Sequence, residues 1–329
     1  MKKAIFCLVL FFAFLVLSGC SAKVTEDISY AMGSAVTQKI YGGDEDTASE
    51  ALCAVNVLDS LISYRNESSE VFRLNSGKTS DNAKIADLVG KSLVISEETD
   101  GVYDITVLPL VKIWGFDGDA DDYRLPTEEE IKECTEKIGY GNIVMSDSSV
   151  RLGNGVKIDL SAVGKGEACE EAVNVYKSKN VTGAIVTVGG SVGVYGKKDD
   201  GSVFTVGVRD PFDKSALIGT LKLTDCFIST SGSYEKCFET ENGIKYHHLL
   251  DAVTGYPAEK GLVSVTVVCG DGGESDSLAS ACFCVGMEKA VPLLEKHSAE
   301  AVFITNDGRI YVTSGLEGVF DAESFEVIK

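Results

Sequence analysis

The sequence is poor in histidine and in basic clusters, and each shortage argues against a class of function. Only three histidines occur among 329 residues, and no two of the ten cysteines form a CxxC pair, so neither a zinc site nor a dithiol redox site is expected. Lysine and arginine number 30 against 50 aspartates and glutamates, which gives a formal net charge of -20. Beyond the N-terminus no basic run exceeds Lys197-Lys198, so we expect no nucleic-acid partner. To bind an anionic ligand, the chain would need a local source of positive charge, such as a metal ion or a helix end.

The cysteines that follow Cys20 do not have the spacing of a disulfide framework. They are scattered through apolar segments of the chain. Cys282 and Cys284 stand two residues apart on a predicted helix and so face different directions. We interpret most of these cysteines as small core residues.

One long apolar run occurs, and it lies at the N-terminus. Met1-Lys2-Lys3 precedes an apolar run over 4–17, which is too short for a stable membrane span and is typical of a signal peptide. The run ends in Leu17-Ser18-Gly19-Cys20, which resembles the lipobox of bacterial lipoproteins. We expect a signal peptide over 1–19, a lipid on Cys20, a lipidated tether over 20–29 and a location on the extracytoplasmic face of the cell membrane. The alternative is a signal peptide cleaved elsewhere, with Cys20 incidental.

Helical and extended patterns alternate along the rest of the chain, without a fixed-period repeat or a low-complexity linker. Residues 30–41 are interpreted as one strand that contains Gly33. The spacing of apolar residues predicts amphipathic helices over 45–64 and 82–98. Further strands are predicted at 183–188, 203–208, 217–223 and 226–228. We therefore predict an α+β fold, with a single mixed domain of two interleaved lobes over 30–329.

The stretch 156–166 has the layout of an anion-binding site. Residues 157–160 alternate like the end of a half-buried strand, and small residues at 161–166 precede a predicted helix over 167–179. Such a junction places Asp159, Lys165 and free backbone groups at a helix N-terminus, where an anion can bind. An ordinary strand-to-helix turn, with Asp159 as a turn acid, fits the same residues.

Polar side chains also gather downstream of the predicted strand at 226–228. The hydroxyls of 229–234 follow that strand, which is typical of a hydrogen-bonded turn as well as of a site. In the alternating run 245–251, His248 lies on the opposite face from His247. A histidine at a strand end is more often structural than catalytic, and both interpretations stay open.

Asp276 and Ser280 are the strongest candidates for metal ligands. Residues 270–275 are predicted to form a loop and 276–285 a helix, so the two side chains lie four residues apart on one face of its first turns. A carboxylate beside a hydroxyl offers oxygen ligands that suit Mg²⁺ better than zinc. The pair is also compatible with a helix-favouring acid beside a solvated serine.

Taken together, these stretches resemble the FAD:protein FMN transferase family, the ApbE-like flavin transferase lipoproteins. The resemblance covers nearly the whole mature chain, and the order and spacing of its motifs carry it. The matching motifs are Met32-Gly33-Ser34, the run 101–107 (GVYDITV), Trp114-Gly115-Phe116, the run 158–166 (IDLSAVGKG), Gly189-Gly190, Thr230-Ser231-Gly232, and the runs 248–255 and 276–280.

The resemblance implies an ApbE-like, T-fold-related architecture, with FAD as substrate and Mg²⁺ as cofactor. Mg²⁺ is then held by the Ala162 carbonyl, the Asp276 carboxylate and the Ser280 hydroxyl, and His248 assists the acceptor hydroxyl. An FAD site is implied at Met32, Tyr64, Val102, Tyr103, Asp104, Asp159, Lys165, Leu249 and Leu250.

The implied activity moves FMN from FAD to a Thr or Ser hydroxyl of an exported acceptor protein through a phosphoester bond, with release of AMP. Mg²⁺ offsets the charge of the pyrophosphate, Lys165 assists electrostatically, and His248 or, alternatively, Asp159 takes the hydroxyl proton. The alternatives are an FAD pyrophosphatase that yields FMN and AMP, and a non-enzymatic flavin-binding lipoprotein.

Three residues depart from the family pattern. Ser280 replaces the usual Thr but keeps the oxygen, Ala252 replaces the Pro of an Asp-Pro turn, and Ser233 replaces a common Asp. None of these changes removes a proposed ligand atom. The turn 251–255 continues as Tyr256-Pro257 without the terminal Thr of an acceptor motif, so we expect no self-flavinylation.

Overall fold

The structure is a computed structural model that describes residues 24–146 and 149–328. The α-helices within those residues are α1 (Glu45–Ile62), α2 (Glu70–Asn75), α3 (Ala83–Glu98), α4 (Leu108–Ile113), α5 (Glu128–Thr135), α6 (Ser161–Ser178), α7 (Gly272–Val285) and α8 (Met287–Lys296). The strands are β1 (Val24–Ala31), β2 (Ser34–Tyr41), β3 (Ile143–Ser146), β4 (Ser149–Leu152), β5 (Gly183–Val188), β6 (Ser191–Gly196), β7 (Phe204–Arg209), β8 (Leu217–Leu223), β9 (Cys226–Gly232), β10 (Cys237–Glu239), β11 (Lys245–His247), β12 (Leu262–Cys269), β13 (Glu300–Thr305), β14 (Ile310–Thr313), β15 (Phe320–Asp321) and β16 (Glu326–Ile328).

The predicted signal peptide over 1–19 and the predicted lipidation residue, Cys20, lie outside the described residues. In the part of the chain that is described, every helix is too short or too polar to cross a membrane.

Nine strands form the central sheet, in the order β1-β2-β5-β6-β9-β12-β13-β14-β16. Neighbouring strands are antiparallel except β14 and β16. On one face, α1, α6 and α7 pack against the sheet, and alternate residues of β2 such as Val36 and Ile40 enter that core. Gln38, between them, is also buried, and it is satisfied because Tyr176 of α6 donates to its Oε1 over 2.7 Å.

The opposite face of the sheet packs against a second sheet of order β15-β8-β7. Leu221 and Phe320 of the second sheet share a hydrophobic cluster with Val302 and Val312 of the first. The helices therefore occupy one face of the central sheet and strands cover part of the other, which is an α+β arrangement.

A separate cluster surrounds the only tryptophan, Trp114, whose side chain is fully buried. Its Nε1 donates to the Gly255 carbonyl over 2.9 Å. The cluster joins α4 and α5 to residues around β10 and β11, which lie more than a hundred positions later in the sequence. The predicted mixed α+β architecture is confirmed, and its second lobe is assembled from two distant segments.

The N-terminal hairpin corrects two predictions. The tether predicted over 20–29 is wrong over 24–29, because β1 begins at Val24 and pairs with β2 along its whole length. The single strand predicted over 30–41 is two strands, joined by Met32 and Gly33 with φ of +53° and +67°, as in a two-residue hairpin turn. β1 was mistaken for a polar tether because it is an edge strand with one face open to solvent.

Five predicted boundaries near the functional motifs are also wrong. Helix α6 begins at Ser161 and α7 at Gly272, so 161–166 and 272–275 are helical rather than turn or loop. Residues 157–160 form only a single bridge to Val107 instead of a strand end. The hydroxyls at 229–232 lie inside β9, and His248 follows β11.

The cysteines of the described part of the chain are all free. Most of them are core residues, as predicted, while Cys53 and Cys237 are exposed. The buried cysteines are Cys134, Cys169, Cys269, Cys282 and Cys284.

Candidate active site

Two glycines let α6 and α7 touch at the backbone. A Cβ atom on Gly166 would overlap the Gly272 carbonyl oxygen, and a Cβ atom on Gly272 would overlap the Gly166 carbonyl oxygen. Glycine is a poor helix former, so its presence in the first two turns of these helices reflects this close approach rather than local propensity. The contact brings the first turns of the two helices together.

Asp276 reaches from α7 into the first turns of α6. Its Oδ2 accepts the N–H of Lys165 over 3.0 Å and the N–H of Gly166 over 3.1 Å. Burial raises the pKa of the Asp276 carboxyl, while Lys165 and the two amides act to lower it. In a regular α-helix the Gly166 N–H would point to the Ala162 carbonyl, so that carbonyl and the Asp276 carboxylate flank the same amide.

The donor set formed by Ala162, Asp276 and Ser280 fits a hard cation. The Oδ1 atom of Asp276 accepts neither of the two amides. The Gly166 N–H, which a regular helix would direct at the Ala162 carbonyl, is shared between that carbonyl and Asp276. The half-buried Ser280 hydroxyl lies one turn farther along α7, 3.1 Å from the Ser231 hydroxyl. Oxygen donors without nitrogen or sulfur suit Mg²⁺. The structure thus places the three predicted ligands on adjoining turns of two touching helices.

Asp159 and Lys165 flank the N-terminus of α6. Asp159 is buried, and its Oδ1 accepts the Ser161 N–H over 2.9 Å. Burial raises the pKa of the Asp159 carboxyl, while Ser161, Lys165 and Lys236 act to lower it. The Lys165 side chain packs over Gly189, where a Cβ atom would lie 3.3 Å from Lys165 Cδ. A larger residue at position 189 would therefore displace the Lys165 ammonium.

Met32 and Tyr64 lie beside the same end of α6. A Cβ atom on Gly164 would lie 3.2 Å from Met32 Cε, so the Met32 methyl group packs against the helix. Arg65 donates to the Tyr64 hydroxyl over 3.1 Å and lies 5.3 Å from its ring centre. Burial and then the Asp159 carboxylate raise the pKa of Tyr64.

Tyr103 and Asp104 use their polar atoms in internal hydrogen bonds. The Tyr103 hydroxyl donates to Ser277 Oγ over 3.1 Å, and burial raises the pKa of Tyr103 to about 12. Asp104 accepts from the Thr106 N–H and hydroxyl at 2.8 and 2.7 Å and from the Tyr140 N–H at 2.8 Å. These two predicted FAD-site residues therefore brace the loop before α4.

The turn after β11 joins the two lobes. Leu249 packs in the main core, whereas Leu250 packs in the Trp114 cluster. Asp251 Oδ1 accepts two backbone N–H groups of the turn, at 2.9 and 3.1 Å, so the turn closes although Ala252 stands in place of a proline. The Ala252 N–H donates to the carbonyl of half-buried Val102 over 3.1 Å. Val102, Leu249 and Leu250 are thereby held on adjoining segments.

His248 presents an unpartnered nitrogen at the site. The residue is half-buried, but its Nδ1 is enclosed and has no hydrogen-bond partner among the described residues. Its ring stands edge-on to Phe116, with centroids 6.5 Å apart. Burial, Lys236 and Lys165 lower the pKa of His248 to about 3. The imidazole is therefore neutral near pH 7 and can accept a proton.

Lys236 and Arg65 belong to the site but are missed by sequence reasoning. Lys236 Nζ donates to the Phe116 carbonyl over 3.1 Å, and its own carbonyl accepts the His248 N–H over 3.0 Å. Burial, Lys165 and Arg65 lower the pKa of Lys236, so both cations act electrostatically on its ammonium. A lone lysine between two strands gives no local signal; only the fold brings it here.

A second group of carboxylates lies on another side of α6. One oxygen from each of Glu167, Glu170 and Asp271 lies within 4.8 Å of the other two. Lys84 Nζ lies 2.7 Å from Glu167, and Lys91 Nζ lies 2.7 Å from Asp271. Glu170 instead accepts the Gly272 N–H over 2.7 Å, so these ion pairs and this hydrogen bond brace α3 against α6 and α7.

The chain is similar in sequence to known flavin transferases. An FAD:protein FMN transferase of Escherichia coli (strain K12) is 30% identical over 265 residues, which cover 78% of this chain and 75% of that protein. One from Treponema pallidum (strain Nichols) is 31% identical over 251 residues, covering 70% and 67%.

Two solved structures share the fold. The crystal structure of the ApbE protein of Thermotoga maritima has a TM-score of 0.83 at 29% identity, and the alignment covers 90% of this chain and 99% of that one. The apo form of the Pseudomonas stutzeri flavinyl transferase ApbE has a TM-score of 0.81 at 26% identity, covering 92% and 98%. The model of the ApbE family matches residues 32–303. This chain therefore belongs to the ApbE family.

Proposed function

We propose that this chain is a Mg²⁺-dependent FAD:protein FMN transferase that modifies a Thr or Ser hydroxyl of an exported protein and releases AMP. The observation that carries the proposal is the convergence of Asp276 on the Lys165 and Gly166 amides, because it joins an oxygen donor set to a cationic pocket. The family and the names of the relatives support the same activity.

The Ala162 carbonyl, the Asp276 carboxylate and the Ser280 hydroxyl would hold Mg²⁺, which would offset the charge of the pyrophosphate. Lys165, beside them on α6, would add positive charge where the phosphate oxygens gain negative charge. Met32 and Tyr64 would contact the dinucleotide from the ends of β1 and α1. The hydrogen bonds of Tyr103 and Asp104 would keep the loop before α4 rigid.

The transfer exchanges the phosphoanhydride linkage of FAD for a phosphoester linkage to the acceptor. The bond between the FMN phosphorus and the bridging oxygen breaks, and that oxygen leaves with AMP. The acceptor hydroxyl oxygen forms the new bond to the phosphorus, and its proton passes to the enzyme. His248 is the proposed base, because its imidazole is neutral near pH 7, whereas one oxygen of Asp159 already accepts the Ser161 N–H.

We also propose that a lipid on Cys20 anchors the chain to the extracytoplasmic face of the cell membrane. The motif 17–20 and the preceding apolar run support this location. Metabolic labelling with a fatty-acid analogue should mark the wild-type chain but not a Cys20→Ser variant. Equal labelling of the two chains would refute the assignment.

The activity is tested with FAD, Mg²⁺ and an exported acceptor protein that carries an Asp-x-x-Thr-Gly-Ala-Thr segment. Mass spectrometry should find FMN on the acceptor threonine, with one AMP released for each adduct, and chelation of Mg²⁺ should stop the reaction. Free FMN formed without acceptor at a rate that matches or exceeds transfer would identify a pyrophosphatase instead. An absence of FAD turnover under every condition would leave only flavin binding.

A further inference from the structure

Three cationic side chains at the site lack carboxylate partners. Within residues 24–146 and 149–328, Arg65, Lys165 and Lys236 make no ion pair shorter than 4.0 Å. Such a cluster attracts anions, because each cation raises the potential felt by the others.

Lys236 is held over the site by both its main chain and its side chain. Its carbonyl accepts the His248 N–H over 3.0 Å, while its ammonium donates to the Phe116 carbonyl over 3.1 Å. Phe116 in turn packs edge-on against the His248 ring. The ammonium is therefore fixed beside the candidate base without a carboxylate to neutralise it.

The charged groups that face Lys236 come from several elements. Lys165 of α6 and Arg65 after α1 act to lower its pKa, after burial, while Asp159 before α6 and Asp117 after Phe116 act to raise it. His247 and His248 add no positive charge near pH 7, because burial is the main cause that lowers their pKa values to about 4 and about 3. The ammonium of Lys236 therefore faces two cations and two carboxylates, which leaves its own positive charge uncompensated.

We propose that Lys236 is a further substrate-binding residue, whose ammonium contacts the diphosphate of the bound dinucleotide beside Lys165. An ammonium has three N–H donors, and the Phe116 carbonyl occupies one of them. An arriving diphosphate would accept from the others and relieve the repulsion among the three cations. The identity of the dinucleotide as FAD rests on the proposed function.

A purely structural role is the competing explanation, since the bond to Phe116 also ties β10 to the loop after α4. The two roles differ in which ligand they affect. A diphosphate contact matters for FAD but not for riboflavin, which has the same ring system and no phosphate. A loop tether would affect both ligands alike.

The test compares Lys236→Met and Lys236→Arg with a matched control, Lys214→Met. Lys214 also donates to a backbone carbonyl, that of Tyr234 over 3.0 Å, and packs over an aromatic ring. Binding is measured by quenching of flavin fluorescence with EDTA present, so that no turnover occurs. We expect Lys236→Met to weaken FAD binding by about ten- to a hundredfold, the range of one hydrogen bond to a charged group, and riboflavin binding by less than about twofold. Lys236→Arg should keep most of the affinity for FAD, and Lys214→Met should change neither ligand.

Two results would overturn the proposal: unchanged FAD binding in Lys236→Met, or equal weakening of FAD and riboflavin. Titration with inorganic pyrophosphate by calorimetry makes the test independent of the flavin. The wild-type chain should bind pyrophosphate and Lys236→Met should bind it more weakly, so equal binding by the two chains also counts against the proposal. If FAD and pyrophosphate bind as expected but no FMN is transferred, only the proposed function fails.

Discussion

Lys165 and Glu167 stand two positions apart on α6, yet they belong to two regions with opposite electrostatic organisation. In the region around Glu167 every lysine is paired: Lys84 lies 2.7 Å from Glu167 and 2.6 Å from Glu171, and Lys91 lies 2.7 Å from Asp271. In the region around Lys165 the cations have no such partners among the described residues. Paired charges fix helices in place, whereas unpaired charges of one sign leave hydrogen-bonding capacity for a ligand.

The difference lies in where each side chain points rather than in composition. The region around Glu167, which we call the paired region, joins α3, α6 and α7 and holds the helices that carry Ala162 and Asp276 in register. The region around Lys165, which we call the unpaired region, lies at the first turns of those helices, where backbone N–H groups also face outward. One region therefore supports the geometry that the other uses.

The largest expected effect comes from Asp276→Asn, which removes the negative charge of the proposed metal ligand beside Lys165. The asparagine oxygen can still accept the Lys165 and Gly166 amides, so the fold should be retained. Because the metal loses its only anionic protein ligand in the proposed set, FMN transfer should fall by about a thousandfold or more. Mass spectrometry of the acceptor measures the loss, and thermal melting checks the fold. Transfer at the wild-type rate would rule out the proposed ligand set.

Gly166→Ala should break the contact that joins the two regions. Its Cβ would overlap the Gly272 carbonyl oxygen, so α6 and α7 must separate. We expect the free energy of unfolding to fall by about 1–3 kcal/mol and transfer to fall by about a hundredfold or more, since misplacement of about 1 Å has that cost. Gly270→Ala is the control, because a Cβ atom there meets nothing within 4 Å. Equal stability of the two variants in urea denaturation would show that the close approach is dispensable.

Lys84→Met acts on the paired region alone. Glu167 is nearly inaccessible, with 2% of its side chain exposed, and it would lose its closest cation. The free energy of unfolding should fall by about 2 kcal/mol, less than for a fully buried pair because Lys84 is about one-third exposed and Lys91 remains near Glu167. FAD affinity should not change. Lys289→Met, on an exposed position of α8, serves as control, and a weakened FAD affinity in Lys84→Met would show that the regions are not separate.

The smallest effect concerns the pH dependence of stability. The pKa of His248 is lowered to about 3 by burial, Lys236 and Lys165, so below about pH 6.5 the unfolded chain binds a proton that the folded chain does not. Stability contributed by neutral His248 is thus present above pH 6.5 and is lost as pH falls towards 3, by at most about 1.4 kcal/mol per pH unit. His248→Gln should flatten this slope in urea denaturation at pH 7.5, 6 and 5.

His297 provides a control of opposite sign. Its hydrogen bonds to Glu274 and Glu98 raise its pKa, although burial acts to lower it, so its contribution is present below the unfolded pKa and is lost as pH rises through the folded one. His297→Gln should therefore remove stability at pH 5 more than at pH 8. Identical pH profiles for His248→Gln and His297→Gln would contradict both assignments.

The mixed α+β architecture could be predicted from the sequence, because the signals for it are local or are carried by ordered motifs, whereas the oxygen donors of Ala162, Asp276 and Ser280 stay a prediction. Residues 161–166 were predicted as a turn because Gly164 and Gly166 disfavour helix, whereas packing requires glycine at both positions, Gly166 against α7 and Gly164 against Ile62 of α1. β1 was missed because an edge strand with one open face resembles a polar tether.

The environment of the charged side chains could not be predicted at all. Whether Lys165, Lys236 or Lys84 has a carboxylate partner depends on residues far away in the sequence. Likewise, the unpartnered Nδ1 of His248 results from the way the second lobe closes over it. These features are tertiary, and no window of sequence contains them.

The most direct test of the account is the position of the metal. Crystals grown with FAD and Mn²⁺, which replaces Mg²⁺ and scatters anomalously, should show a single strong anomalous peak beside Asp276, the Ala162 carbonyl and Ser280. The FAD diphosphate should lie against that peak and within hydrogen-bonding distance of Lys165 and Lys236. A peak among Glu167, Glu170 and Asp271, with none at Asp276, would place the metal in the paired region and contradict the account.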